Sequence, residues 1–553
     1  MTTTRRNVFK FMGGSAAGAL LTPAPWRLIT DSALWSENWP GIPRPARGEI
    51  RTRFTNCSLC AAGCPVRARC VGAQPVSLAG VGAGLCPAGV AGHHFPYHPS
   101  RLKEGPVKEA AAAAAAAISR LGPNELVAVL DLRPGRTVSW TYRRALSMLR
   151  NGVYLAPPQP PVAVDLARVK TVLSLGVPLL ESWGTPASVL AARARFRLIQ
   201  AEPVQSRTAI LADTWIPTEP GRELALASSM LAGLREDGPA LILDPAMSPA
   251  VLELNHELGA PVFLRPEAPI PAAWRKAAPV ADLSAIPDRS VRVLLIDEAG
   301  GYFAWPAIEK KLVRDNPLVI AFAWSREGYG RHVKYVLPTA VYPETMDDLP
   351  GAIDSVTAAF RLSVPLLAPP PGVVDPAAFL AHLVGFDPGD PLRERANAIH
   401  QLGRGAIQSK PVKEMTADAF WSSLTAAAPW LDAADRAPRL PNAPTTPPLE
   451  PSLQPAGLPL TVVLTPAPRS SPLLSKIYAE SNLRLAPRQA ALHPSSAAGL
   501  ADRSRAMLQT LDASVEIQLV LDPAIPPGMV QVGWSPAILD ACATSARAKV
   551  VPL

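Results

Sequence analysis

Short apolar runs rich in Val, Ile and Leu recur along the chain and alternate with longer stretches of helical character. Residues 126–130 (LVAVL), 152–155, 169–175 (VKTVLSL) and 197–201 predict buried strands, and residues 137–150, 186–196 and 222–234 predict the helices between them. The pattern repeats with strands at 240–243, 291–296 and 318–322 and helices near 249–258 and 305–314. Apolar β-branched runs alternating with helices belong to parallel sheets covered on both faces. They predict two doubly wound α/β units. Upstream, residues 108–121 hold eight consecutive alanines, 110–117, and predict a helix that recognises nothing specific.

The alternation breaks at residues 426–459, where AAAPWLDAADRAPRLPNAPTTPPLEPSLQPAGLP predicts a proline-rich linker. Beyond it, residues 460–464 (LTVVL), 514–521 (SVEIQLVL) and 529–532 predict strands divided by Pro/Gly turns, hence a terminal all-β domain.

Composition narrows the class. With 553 residues the chain exceeds one hydrophobic core and implies about three to five domains. A hydrophobic content of 48% against 18% charged residues excludes a disordered chain. The net charge of +9 suits anionic lipid or an acidic partner as well as plain solubility. No helix-turn-helix, zinc-finger or RNA-binding signature accompanies it, so nucleic acid is not an expected partner.

At the amino terminus, Arg5 and Arg6 are followed by Asn7, Val8, Phe9, Lys10 and an apolar run to Leu21. Order and flanks predict a twin-arginine export signal. The run is too short, and too rich in Gly and Ala, to span a bilayer comfortably. No clean A-x-A cleavage site follows, so the segment could remain as an interfacial anchor. That route carries folded, cofactor-loaded proteins.

The chemistry concentrates between residues 57 and 86, CSLCAAGCPVRARCVGAQPVSLAGVGAGLC. Cys57, Cys60 and Cys64 have C-x2-C-x3-C spacing and Cys86 returns after a Gly-rich excursion, a set that fits a [4Fe–4S] cluster. Ala61 after Cys60 excludes c-type haem attachment, and a zinc ribbon would need a second C-x2-C pair. Disulfides suit so tight a loop poorly. Cys70 is an extra thiol that could substitute for a neighbour and reads as a small buried residue. His93, His94 and His98 fall in a proline-containing loop without helical i, i+4 spacing and read as packing residues.

Together these segments resemble the molybdopterin oxidoreductase family. CSLCAAGC with the later LC-x-x-G is similar to its cluster signature, and YHPSRLKEGPVK (97–108) to the exit from its cluster domain. AILADTWIPTEPGRELALA (209–227) and KYVLPTAVYPE (334–344) resemble its first α/β unit and the return into it. LHPSSAAGL (492–500) and PPGMV (526–530) resemble its C-terminal barrel. Within the family, residues 21–49 (LTPAPWRLITDSALWSENWPGIPRPARGE) resemble the subunits found in bacterial menaquinone reductase complexes, relatives of an alternative complex III subunit.

The resemblance implies this order: signal and arm at 1–48; [4Fe–4S] domain at 49–105; first α/β domain at 106–236 with a return near 337–425; second α/β domain at 237–336; linker; and β-barrel at 460–553. It implies that Cys57, Cys60, Cys64 and Cys86 ligate the cluster. It also implies three kinds of partner: a ferredoxin-like iron–sulfur subunit, a quinone-binding integral membrane subunit and a multihaem cytochrome c, at the periplasmic face of the membrane.

Departures from the family pattern predict that no molybdenum–pterin cofactor is bound. No Cys or His lies between Leu121 and Arg168, and APPQPPVAVDLAR leaves no room for a metal-ligand loop. Asp165, the one carboxylate there, reads as a cap of the following element. Pro87, Ala88 and Gly89 replace the family's x-Lys/Arg-Gly after the fourth cysteine. Gly176 stands alone at a strand end and reads as a tight turn. Glu202, Asp213, Asp297, Glu298 and Glu344 read as caps and turn residues. The expected role is therefore an electron-relay or structural subunit of a quinone oxidoreductase complex, without catalytic residues of its own; the alternative is an active molybdopterin-dependent oxidoreductase.

Overall fold

The computed structural model describes residues 48–82, 84–157, 162–180, 183–297, 305–326, 333–436, 457–465, 488–533, 536–543 and 545–553. The twin-arginine segment, Glu298 and residues 437–456 of the proline-rich stretch lie outside them.

The central sheet has six parallel strands. Across it run Val280–Ala281, Gly152–Leu155, Leu126–Asp131, Val291–Asp297, Leu318–Ala323 and Tyr335–Pro338. Numbered by sequence within the sheet, the order is 3-2-1-4-5-6, the arrangement of dinucleotide-binding doubly wound folds. Its strands carry no polar alternation because both faces are covered: Val127, Val129, Val293 and Ile320 pack on one side, Ala128, Leu130, Leu294 and Ile296 on the other. The alanine-rich helix Val107–Ser119 presents Ala110 and Ala114 to the first layer, small residues that let it lie close to the sheet.

A second sheet is inserted between Gly152–Leu155 and Val280–Ala281. It is also parallel, in the order Ala240–Leu243, Thr171–Leu175, Arg197–Glu202 and Thr214–Pro217. An antiparallel pair, Val162–Val164 with Val262–Leu264, closes its entrance and exit. The two α/β units are therefore nested. The boundary expected at 236/237 cuts through the inserted sheet, and strands 280–338 complete the first unit. Runs of local hydrophobicity identify strands but carry no information on which sheet each one joins.

A further difference lies at the expected linker. Residues Trp430–Arg436 form a strand that pairs antiparallel with Thr357–Ser363, within a five-stranded sheet that includes Asp347–Leu349. Trp430 is fully buried and its indole N–H donates to Arg404 O at 2.9 Å. Helices Pro391–Gln401 and Ala417–Thr425 pack here through Ile399, Phe420 and Leu424.

The C-terminal strands close a six-stranded barrel in the order Leu460–Thr465, Met529–Gly533, Gln489–Leu492, Ser514–Leu521, Arg505–Gln509 and Arg547–Pro552. Alternation along Ser514–Leu521 turns Val515, Ile517 and Leu519 inward. Among the described residues no helix is long and apolar enough to cross a membrane.

Candidate metal centre

The cysteines sit at the open end of a three-stranded antiparallel sheet, Ile50–Asn56, Pro65–Val71 and Gln74–Gly80. The turn between the first two strands holds Cys57, Cys60 and Cys64. It is closed by Cys57 N–H donating to Cys64 O at 2.8 Å, with Gly63 at φ 56° making the reversal. Cys86 immediately precedes the short helix Pro87–Ala91, whose Val90 N–H donates to Cys86 O. The domain docks on the end of strand Thr357–Ser363 and the residue after it: Asn56 Nδ2 donates to Leu362 O, and Thr55 Oγ1 donates to Val364 O while accepting from Val364 N–H.

Cys57 and Cys64 are buried, Cys60 and Cys86 half-buried, and none of the six cysteines forms a disulfide. Burial raises the Cys57 thiol, and Cys60, Cys64 and Cys86 raise it further. Cys64 is pushed up to about 12 by burial, then by Cys60, Cys86 and Asp354. Cys57 and Cys64 thus resist ionising first because they are buried and then because other thiols are near, a repulsion that a bound cationic centre relieves. Among the described residues no group of three or more His, Cys, Asp or Glu side chains is arranged to hold a single metal ion. A cubane gives each thiolate its own iron and asks for a wider spread.

Cys70 lies on the middle strand, fully buried; burial raises its thiol and Arg53 opposes this. It is a packing residue beside the set of four. His98 is buried edge-on against Trp324 with ring centroids 5.0 Å apart, and its Nδ1 accepts from Ser100 N–H; His93 and His94 lie together at 4.0 Å.

Polar surroundings fit a sulfur-rich centre. Tyr342 is 4% exposed and packs with Cys57, Cys64, Leu78 and Leu366, yet its buried hydroxyl has no hydrogen-bond partner. Arg361 Nε is likewise buried and unpartnered, and the same side chain feels Asp354 and Cys64. Such orphaned donors await an acceptor that the described residues do not supply.

A second polar centre adjoins the first. Asp131 and Asp297 end the two strands on either side of the switch in strand order, the place where doubly wound folds bind ligands. Here Arg136 stands ion-paired at the wall of a cavity of about 400 Å³ that is also lined by Arg133, Thr137, Tyr142, Asp297 and Asp347. Its guanidinium reaches Asp347 at 2.7 Å, Asp297 at 3.0 Å and Asp131 at 3.4 Å. Burial pulls Arg136 down, but Asp347, Asp131 and Asp297 outweigh it and hold the group well above its ordinary range. Asp131 also accepts from Ser139 Oγ at 2.6 Å and Tyr154 Oη at 2.7 Å, and Asp297 from Tyr142 Oη at 2.9 Å.

The amino end of helix Thr137–Leu146, where a phosphate would sit in a nucleotide-binding relative of this topology, receives Asp348 instead. Thr137 N–H donates to Asp348 Oδ1 at 2.6 Å, and Arg395 pairs with Oδ2 at 2.8 Å. Arg133 joins the two centres: it lies 3.6 Å from Asp347 and donates to the carbonyl of Ser58, next to Cys57. Beside this knot, a cavity of about 490 Å³ is lined by Trp140, Arg143, Tyr154, Arg265, Glu267 and Asp282, among others.

Other sequence candidates have structural roles. Asp165 caps the turn Leu166–Arg168 by accepting from Ala167 N–H, as expected. Glu202 accepts from Gln200 Nε2 and Ser206 N–H, and Asp213 from Leu198 N–H and Arg193. Gly176 has φ 68° at a turn. Glu344 forms a buried ion pair with Arg101 at 2.6 Å. Asp297 is more than a turn residue, because a partner that lies 161 positions away in sequence recruits it.

No protein-family model matches the chain. Over 270 aligned residues it is 27% identical to the menaquinone reductase, molybdopterin-binding-like subunit, of Nitratidesulfovibrio vulgaris Hildenborough. The match covers 41% of this chain and 39% of that relative, so the chain spans about two fifths of the length of the curated relative it matches. In three dimensions it is similar to acetylene hydratase from Pelobacter acetylenicus, with a TM-score of 0.63 at 13% identity over 88% of this chain and 93% of that one. The chain therefore has a fold similar to that of acetylene hydratase and, over the aligned part, is similar in sequence to a menaquinone reductase subunit.

Proposed function

We propose that this protein is an electron-relay subunit of a membrane-associated menaquinone oxidoreductase complex at the periplasmic face, carrying one [4Fe–4S] cluster and no molybdenum–pterin cofactor. The observation that carries the proposal is the pairing of a four-cysteine nest with an adjoining crevice whose carboxylates are already ion-paired to Arg136. Cys57, Cys60, Cys64 and Cys86 would hold the cluster, which supplies one-electron chemistry when bound. The chain's own work is to bury Cys57 and Cys64, to leave Cys60 and Cys86 nearer the surface, and to keep water from the sulfurs.

Three features support the absence of the pterin cofactor. Residues 121–168 offer no thiol or imidazole ligand. Arg136 and its carboxylates stand in the switch crevice. Asp348 takes the helix terminus that would otherwise receive a phosphate. An incoming diphosphate would have to displace Asp348 from the helix terminus and compete with Asp131, Asp297 and Asp347 for Arg136. The relative's printed name supports menaquinone as the electron acceptor or donor of the whole complex. A ferredoxin-like subunit, a quinone-binding membrane subunit and a multihaem cytochrome c are the partners this role requires.

Iron and molybdenum quantified together on the complex purified from its native membrane test the proposal. About four irons per chain in this subunit and no molybdenum are expected. Stoichiometric molybdenum would instead make this a catalytic subunit, with the cavity beside Trp140 and Arg143 as its substrate site.

A further inference from the structure

The hydroxyl of Tyr342 is the least explained polar atom beside the cysteines. A buried hydroxyl without a partner is less favourable than a satisfied one. Phe would fill the same space without that penalty. The buried hydroxyls of Tyr142 and Tyr154 both have carboxylate acceptors. Tyr342 has none, although its position is closely defined. A Cβ built on Gly92 would stand 2.6 Å from Tyr342 Cε1, so the ring occupies the space that a side chain at 92 would take. Its loop is fixed from behind by Val341 N–H donating to Glu344, whose carboxylate is paired with Arg101. The ring is thus held against Cys57 and Cys64.

We infer that the Tyr342 hydroxyl donates a hydrogen bond to a sulfur of the iron–sulfur centre held by Cys57, Cys60, Cys64 and Cys86, and so raises its reduction potential. The inference rests on the cluster reading above. Neutral thiols are weak acceptors, whereas sulfur atoms carrying cluster charge are stronger ones. The reduced state carries more negative charge than the oxidised one and gains more from the donor, which moves the potential upward. Tyr342 is a positioning and tuning residue, not a ligand.

The test is an EPR-monitored redox titration of the full chain in its native complex, wild type against Tyr342→Phe. Unchanged iron content and a more negative midpoint are expected. A tenfold weaker hold on the electron reads as 59 mV for this one-electron couple. In deuterated buffer, the wild type should show an exchangeable proton coupled to the cluster that the variant lacks. Gly92→Ala, which displaces the ring, should move the midpoint in the same direction. An unchanged midpoint with the coupling retained overturns the inference, and so does loss of iron in both variants, since a tuning residue does not hold the irons. An iron-free wild-type chain removes the cluster reading itself, a result distinct from an iron-loaded chain whose potential does not respond.

Discussion

Asp131 and Asp297 are register partners at the carboxyl ends of two adjacent parallel strands, so two carboxylates are forced side by side at the switch in strand order. Left alone they would repel each other in a site that excludes water. Arg136, one turn beyond Asp131 and at the start of the next helix, makes the pair tolerable by pairing with both and with Asp347. The carboxylates at the fold's usual ligand position are thereby neutralised from within the chain.

Removing that cation should be severe. Arg136→Met leaves Asp131, Asp297 and Asp347 without their common partner, and truncating one side of a buried ion pair costs about 3–5 kcal/mol. Urea unfolding should show a loss of that size. Arg505→Ala should change stability by no more than about 1 kcal/mol, because its Glu516 partner is solvated and the pair is on the surface. Equal effects from the two substitutions would refute the view that the knot replaces a ligand as the glue of this crevice.

The thiols predict an alkaline limit for the iron-stripped chain. Cys64 has a folded-state value of about 12 against an ordinary 9.0, and Cys57 is shifted in the same direction by burial and its neighbours. A raised value means that the folded state holds its proton longer than the unfolded state does. The stabilisation is complete below the ordinary value and is lost as pH rises toward about 12. Unfolding midpoints of the stripped chain should therefore fall between about pH 8 and pH 11, and Cys64→Ala should flatten that fall. The iron-loaded protein should not share it, since its thiolates are already ionised and neutralised by metal.

How much of this was legible depended on the range of the interaction. Strands such as Ala240–Leu243 and Ser514–Leu521 match their expected bounds, because continuous or alternating apolar runs are local signals. The barrel and the doubly wound class followed from them. Nesting of the two α/β units did not, because sheet membership is decided by pairings such as Val291 with Leu126. The arginine knot was hidden for the same reason: Arg136 meets Asp347 across 211 residues. The cysteine set could be read because three of its members share one turn. Tyr342 could not, since nothing local distinguishes it from any Tyr before a proline. Trp430 was the avoidable miss: proline density outweighed a large aromatic followed directly by Leu431, which is a core signal.

That miss has a direct test. If residues 430–436 were linker, Trp430→Ala would be neutral. Their strand pairs with Thr357–Ser363 and Trp430 is fully buried, so truncation should cost about 3–5 kcal/mol. Gly405→Ala should be nearly as damaging, because its Cβ would lie 2.5 Å from Trp430 Nε1 at a φ of 75°. Denaturant unfolding of both variants measures this directly.

The last prediction concerns how the cysteine nest is tied to the α/β core. Arg101 lies on the segment leaving Cys86, and Glu344 on the loop that carries Tyr342. Their side chains are 0% and 1% exposed and meet at 2.6 Å. Arg101 also donates to Thr339 O at 2.8 Å, so one guanidinium holds both ends of that loop. Glu344→Gln keeps the shape but leaves Arg101 buried with its charge unopposed, a change expected to cost about 3–5 kcal/mol. The damage should be local at first. Hydrogen exchange should accelerate at residues 87–101 and 339–344 while the barrel strands stay protected, and iron should be lost more readily to a chelator. Uniform acceleration across the chain, with iron held as firmly as before, would show that the pair supports the whole fold rather than the enclosure of the cluster. Local loosening with early iron loss would place Arg101 and Glu344 as the clasp between the cluster domain and the body of the protein.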